Sequence, residues 1–258
     1  MEEIVSNDNK KIKLLRKLSS KKYRNKFGQF LVENLAIIND AVKSGYQPEI
    51  LFITQELLNS RLEKVKFLLG NIASHNIFII NDEVNKSFSK LETPAGIAAI
   101  YSKRKKQKLN YQKRILYLNE IKDPGNLGTI LRSAVAFDIS EIILDEGCVE
   151  LHNSKVIQSA KDAIFKTNVV FDKNRAVLSE VKSKMKIFVT DVEGGVEVGK
   201  AFRGVDKFCV ILGSESHGAS EEVKKYAAEK INIKSSSEME SLNVAVSTGI
   251  ILYEMYNN

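Results

Sequence analysis

Apolar positions along the chain recur with two periods, and the periods alternate. In the first half, Lys11–Leu18 reads as a basic helix and Gln29–Glu33 (QFLVE) as a strand. Leu35–Ser44 follows as a helix stopped by Gly45. Ile50–Ile53 is extended, Leu57–Leu69 helical, Ile77–Ile80 extended, and Gly96–Tyr101 (GIAAIY) is a closing strand. Short apolar runs separated by helix-period segments predict an α/β layer arrangement.

The second half repeats the pattern more cleanly. Strand Ile115–Asn119 leads into Asp123-Pro124, an N-cap followed by proline at the first helical position. Leu127, Ile130, Leu131 and Ala134 then recur at helical spacing. Glu141–Leu144, Ile187–Thr190 and Phe208–Leu212 read as short buried strands with helices between them, which predicts a largely parallel sheet. The last helix, about Ser241 to Tyr256 with Ser241 able to cap it, is apolar nearly all round. Leu242, Val246, Gly249, Ile250 and Tyr253 form one stripe, and Val244, Ile251 and Met255 lie off it. Such a helix is buried in a core or under a partner subunit. Between the halves, Lys103–Arg114 is basic and poor in apolar residues, as a linker would be. The expected division is residues 1–102, a linker over 103–113, and a second domain over 114–258.

Charge changes the picture of partners. The 258 residues carry a net charge of +7, and residues 10–26 alone hold nine Lys or Arg. Lysine and arginine neutralise phosphates and release counterions, so the charge is compatible with a polyanionic partner, although such runs on their own are more often solvated faces or tails. No apolar run approaches the roughly 20 residues needed to cross a bilayer. The polar start MEEIVSNDNKKIKLL does not read as a cleavable signal. Cys148 and Cys209 sit in or beside apolar stretches and read as buried thiols, so the expected compartment is the cytoplasm. No His/Cys cluster has metal-ligand spacing, and no metal is expected.

Three segments carry candidate chemistry. Asn119–Asp138 (NEIKDPGNLGTILRSAVAFD) brackets Asn126 with Gly125 and Gly128 at a strand-to-helix turn, where free N–H groups can receive an anion. It lacks the Gly-Lys-Ser/Thr ending of a Walker loop and the G-x-G-x-x-G of a dinucleotide fold, which argues against an oxidoreductase. Val210–Ser220 (VILGSESHGAS) is a polar loop after an apolar strand, the place where α/β proteins bind ligands. A hydrolase is disfavoured, because G-x-S-x-G is absent and Ser216 and His217 are mere sequence neighbours. Ile231–Asn243 (INIKSSSEMESLN) runs into the last helix and offers Asn243 to a pocket beside the glycine loops.

In order and wording these segments resemble the SpoU (TrmH-like) family of RNA ribose 2′-O-methyltransferases. The N-x-G-x-x-x-R motif is matched by Asn126, Gly128 and Arg132; L-G-x-E-x-x-G by Leu212, Gly213, Glu215 and Gly218; and the final S-L-N by Ser241, Leu242 and Asn243. The match covers about Arg114 to Asn258. More loosely, LRKLSSKKYRNKFGQFLVEN and TPAGIAAI resemble the family's L30e-like substrate-binding domain. Asn34 stands where the family usually carries glycine, and Asn is the next residue most able to adopt a left-handed backbone. The third motif departs from the family: Lys234 and Ser235 follow Ile233, and Ser237 replaces a glycine.

The resemblance implies a parallel α/β domain closed by a trefoil knot, preceded by the smaller L30e-like α/β domain. It implies an S-adenosylmethionine pocket held by Leu212, Gly213, Ile233, Ser241, Leu242 and Asn243, and a homodimer with its site at the subunit interface. Asn126, Arg132, Glu215 and Asn243 are the implied catalytic set, with Arg132 a clamp on substrate phosphate and Glu215 ordering its loop or its arginine partner. Lys21, Lys22, Arg24 and Arg132 are the expected RNA contacts. Ribosomal RNA is favoured over transfer RNA. The alternative is a catalytically inactive RNA-binding relative.

Overall fold

The computed structural model describes residues 1–104, 107–191, 194–214, 217–236 and 241–258. The expected site Glu215, the departing motif residue Ser237, and Lys105 and Lys106 of the basic stretch lie outside them. The chain divides into two compact units, one of residues 1–105 with 152–158, the other of 106–151 with 159–258.

The first unit runs β1 (Glu2–Ile4), α1 (Lys10–Leu18), α2 (Lys21–Phe27), β2 (Gln29–Val32), α3 (Leu35–Lys43), β3 (Ile50–Thr54), α4 (Gln55–Asn59), α5 (Glu63–Asn71), β4 (Ile77–Ile80), α6 (Asp82–Phe88) and β5 (Ile97–Ser102). Its sheet has the order β1-β4-β3-β5-β2, with β5 antiparallel to both neighbours. Helix α1 buries Ile12, Leu15 and Leu18 against Phe52, Phe78 and Ile100, and turns its lysines outward. The expected single helix Leu57–Leu69 is instead two. Ser60 Oγ donates to the carbonyl of Leu57 and Arg61 takes a left-handed φ of 54°, which closes α4 before α5 begins. Asn34 is not left-handed: its φ is −160°, and its Oδ1 accepts from the N–H groups of Ala36 and Ile37. It is the N-cap of α3, a role glycine fills less well.

The second unit runs β6 (Ile115–Leu118), α7 (Pro124–Ala136), β7 (Glu141–Leu144), α8 (Ser154–Ala160, whose first five residues group with the first unit), α9 (Ala163–Lys166), β8 (Asn168–Phe171), α10 (Ala176–Lys182), β9 (Lys186–Thr190), β10 (Val196–Glu197), α11 (Val198–Ala201), β11 (Phe208–Leu212), α12 (Glu221–Lys224), β12 (Glu229–Asn232) and α13 (Val244–Asn257). The seven strands among its described residues are all parallel, in the order β10-β12-β9-β11-β6-β7-β8. The central strands β6, β7 and β11 are buried along their whole length, as continuous apolar runs covered on both faces must be.

Helix α13 packs on α7. It buries Val244, Ala245, Thr248, Ile251, Leu252 and Met255. Of the apolar stripe read from the sequence, Leu242, Val246 and Tyr253 are turned away from this core and exposed. Nor does the helix start at Ser241. Asn243 is the N-cap, its Oδ1 accepting from Ala245 and Val246 N–H. At the other end Arg114, just before β6, donates to the Met255 carbonyl and lies 5.4 Å from the Phe208 ring centre. Among the described residues, no helix is long and apolar enough to cross a membrane.

Candidate functional site

A parallel sheet puts every strand's carboxyl end on one edge. In the second unit that edge carries Leu118 beside Leu212 and Thr190 beside Ile231. The three candidate segments leave from this edge or return to it.

Asn119, the first residue past β6, ties two of them together. Its N–H donates to the Leu212 carbonyl at 2.9 Å, and its Oδ1 accepts from the Ser220 N–H at 2.8 Å. The loop between is thereby pinned at both ends. Its Nδ2 donates to Asp145 Oδ2 at 2.5 Å, and the other Asp145 oxygen accepts from Glu120 and Gly147 N–H at 3.0 Å each. Asn119 is 3% exposed, so all these partners are needed to offset its burial. Within the loop, Ser214 and Gly218 exchange backbone hydrogen bonds of 2.9 and 3.0 Å. Gly213 has no room for a side chain, because a Cβ there would sit 1.9 Å from the Ala219 nitrogen and the Gly218 carbonyl carbon.

The helix that starts the first motif is set by Asp123, whose Oδ1 accepts from the Asn126 N–H at 2.8 Å. Leu127, Gly128, Ile130, Leu131 and Ala134 bury one face of α7. Asn126, half-buried, looks toward the third segment: Asn243 Nδ2 donates to its Oδ1 at 3.1 Å. Two of the four expected catalytic residues thus meet. Arg132 does not join them. It is exposed and makes no ion pair or side-chain hydrogen bond with another described residue. Its apolar neighbours Ile130, Leu131 and Ala134 turn inward, and the guanidinium turns to solvent.

Of the expected cofactor contacts, Leu212 and Gly213 are buried, Ile233 is half-buried, and Ser241, Leu242 and Asn243 are exposed. At the same edge Asp191 follows β9, held by Lys230 at 2.8 Å and Lys224 at 3.3 Å. Beside Asp145, the Cys148 Sγ donates to the Leu118 carbonyl at 3.2 Å. Burial, and then the Asp145 charge, push the Cys148 thiol well above its ordinary range. Among the described residues no three His, Cys, Asp or Glu side chains are grouped to hold a metal.

In the first unit, Lys21 and Lys22 are exposed as expected of RNA contacts, but Arg24 is not. It is 6% exposed, and its Nη1 donates at 2.8 Å to the carbonyls of both Leu18 and Ser19. The end of α1 leaves carbonyls without helical donors, and Arg24 supplies them. Its place is structural.

Sequence reasoning gave no role to Asn119, Asp145 or Ser220. A polar residue ending the run ILYL was the one available signal for Asn119.

Residues 113–253 match the SpoU rRNA Methylase family, and residues 9–99 match the MRM3-like substrate binding domain. The chain is 28% identical over 257 residues to the 23S rRNA (guanosine(2553)-2′-O)-methyltransferase RlmP of Bacillus subtilis, covering 99% of both. It is 33% identical over 162 residues to human mitochondrial rRNA methyltransferase 3, covering 59% of this chain and 37% of that one. The AdoMet-bound rRNA methyltransferase of Sinorhizobium meliloti shares the fold with a TM-score of 0.84 at 21% identity, covering 99% of this chain and 97% of the other.

Proposed function

The chain belongs to the SpoU rRNA methylase family, and on that premise we propose that it transfers the methyl group of S-adenosylmethionine to a ribose 2′-hydroxyl of ribosomal RNA. The observation that carries the reading is the meeting of Asn126 and Asn243, 117 residues apart in sequence, at the edge where the Gly213 loop is pinned.

The residues present suit the cofactor. Adenosine is flat, neutral and rich in hydrogen-bonding edges. The strand-end backbone at Leu212, Gly213 and Ile233 offers matching groups, and the side chains of Ile233 and Leu242 offer apolar surface. When bound, S-adenosylmethionine supplies an electrophilic methyl group on a sulfonium. The ribose oxygen would take that methyl as the S–CH3 bond breaks, leaving a neutral thioether, and the hydroxyl proton would pass to the adjoining substrate phosphate or to water. Asn243 is held by two backbone donors to its Oδ1, which leaves its Nδ2 for Asn126 and fixes which way the Asn126 amide faces. Asn126 so oriented is a positioning group for the attacking hydroxyl. Arg132 is the clamp on the adjoining phosphate, a task that suits a planar fork of parallel N–H donors. Glu215 keeps the role of ordering its loop.

The same reading takes the chain as a homodimer, supported by the exposed Leu242, Val246 and Tyr253 on α13. It takes the trefoil knot with the family, a domain division at 1–102 and 114–258, RNA contacts at Lys21 and Lys22, catalysis without a metal, and a cytoplasmic setting consistent with two free cysteines. The test is to map 2′-O-methyl groups on ribosomal RNA from cells with and without the protein, then restore the missing one with purified protein and cofactor. Identical maps from both cells would overturn the reading.

A further inference from the structure

The segment 9–32 contains no acidic residue. Three of its nine cations have other partners. Lys13 pairs with Asp8, Arg16 donates to the Asn7 carbonyl and Ser87 Oγ, and Arg24 closes the end of α1. Lys17, Lys22 and Lys26 are exposed and make no ion pair with a described residue. Those three converge on two rings. Tyr23 and Phe27 stand one turn apart on α2, their rings 6.0 Å apart and within 14° of parallel. The ammonium groups of Lys17 and Lys22 lie 5.8 and 5.9 Å from the Tyr23 ring centre, and that of Lys26 lies 6.0 Å from Phe27. Phe27 is 39% exposed and Tyr23 half-buried.

A lone exposed ring on a helix needs no explanation. A parallel pair ringed by unpaired lysines is different, because it joins a π-face to a field that attracts phosphate. The pair is also held rigid. Arg24, between the two rings in sequence, ties α2 to the carbonyls of α1, and Gly28 closes α2 with a φ of 64°. Duplex RNA keeps its bases stacked inside and offers only backbone to such a surface. An unpaired base can be splayed out and laid on an aromatic face while lysines hold the flanking phosphates.

We propose that the Tyr23–Phe27 pair is a stacking platform for an unpaired base of the RNA substrate, with Lys17, Lys22 and Lys26 on the neighbouring phosphates. The first unit then selects a loop or bulge, not merely negative charge. This rests on the reading of the chain as an RNA methyltransferase and adds what part of the RNA is recognised.

The test uses the full chain and two RNAs, a hairpin with a seven-nucleotide loop and the blunt duplex of the same stem. The wild type should favour the hairpin. Tyr23→Leu/Phe27→Leu should weaken hairpin binding roughly ten-fold or more, leave duplex binding unchanged, and leave the salt dependence as it was. Lys17→Gln/Lys22→Gln/Lys26→Gln should weaken both RNAs and lower the salt slope by about 2. Cofactor affinity, measured by calorimetry, should not move in either variant. An aromatic variant that keeps its melting temperature and still prefers the hairpin as the wild type does overturns the proposal. If that variant unfolds, cross-linking decides: 5-iodouridine in the loop, irradiated with the wild-type chain, should attach to the peptide bearing Tyr23 and Phe27, and attachment solely elsewhere overturns it. A wild type that binds neither RNA, or binds anionic lipid vesicles instead, removes the RNA reading itself. Tight binding without preference for the loop removes the platform alone.

Discussion

Asn243 does two things with one amide: its Oδ1 caps α13 through Ala245 and Val246, and its Nδ2 reaches Asn126 Oδ1 at 3.1 Å. The start of the last helix and the start of the first motif's helix are therefore set against each other by the same side chain. The two roles separate by substitution. Asn243→Asp keeps a capping oxygen but has no Nδ2 donor, so stability should hold and methyl transfer should fall. Asn243→Ala should lose about 1 kcal/mol as well, the usual worth of a cap. Asn126→Ala should lower kcat with little change in melting temperature. Thermal melts beside single-turnover rates check the set; equal stability loss in the aspartate and alanine variants would contradict the division.

Gly213 predicts a steep response to the smallest possible change. A Cβ there meets backbone at 1.9 Å, and backbone cannot swing aside as a flexible side chain can. Gly213→Ala should therefore rebuild the loop between Leu212 and Ser220 and abolish cofactor binding in calorimetry. Near wild-type affinity in that variant would remove the loop from the cofactor site.

The exposed side of α13 predicts a dimer that charge can split. Val246 is 53% and Tyr253 56% exposed, while the opposite face is buried within the same unit. Val246→Glu should leave the fold intact and shift sedimentation from dimer to monomer at micromolar concentration. A wild type already monomeric with cofactor present would contradict the interface.

Both cysteines should be inert in the native chain. Burial raises the Cys209 thiol, and burial with the Asp145 charge raises Cys148. A raised pKa keeps each thiol protonated through neutral and mildly alkaline pH, and the protonated form is not the nucleophile. Iodoacetamide at pH 8 should label neither within minutes, and both once the chain is unfolded. Rapid native labelling of Cys148 would mean its strand-end pocket opens readily.

The central strands were legible because each is a short apolar run, with Glu141 the one charged residue among ILYL, EIIL and FCVIL, and all three are buried from end to end. Strands β8, β10 and β12 carry no such signal. NVVF, VE and EKIN are short and half-exposed, and sheet pairing alone makes them strands. Periodicity failed on α13 for the opposite reason, since a helix apolar all round does not say which face turns inward. At the site, motif spacing picked out Asn126 and Asn243, which do meet. The hub around Asn119 was out of reach, because Asp145 and Ser220 lie 26 and 101 residues away and only the strand order brings them together. Charge counting could not tell Arg24, spent on carbonyls, from Lys22, left in solvent.

Arg132 offers the sharpest test of catalysis. It projects from α7 into solvent while Ile130, Leu131 and Ala134 beside it are fully buried. Since no described residue pairs with it, removing it costs the fold little; surface changes of this kind stay within about 0.5 kcal/mol. Arg132→Ala should thus keep its melting temperature, its oligomeric state and its cofactor affinity. Methyl transfer should fall by orders of magnitude, because the phosphate that orients the ribose loses its clamp. Arg132→Lys should recover little of the rate: a point charge cannot replace two parallel N–H donors. Raising RNA concentration should not rescue either variant if the clamp acts in the transition state rather than in ground-state binding, so kcat should carry the loss more than KM. An alanine variant that methylates at near the wild-type rate would show that Arg132 clamps nothing the reaction needs.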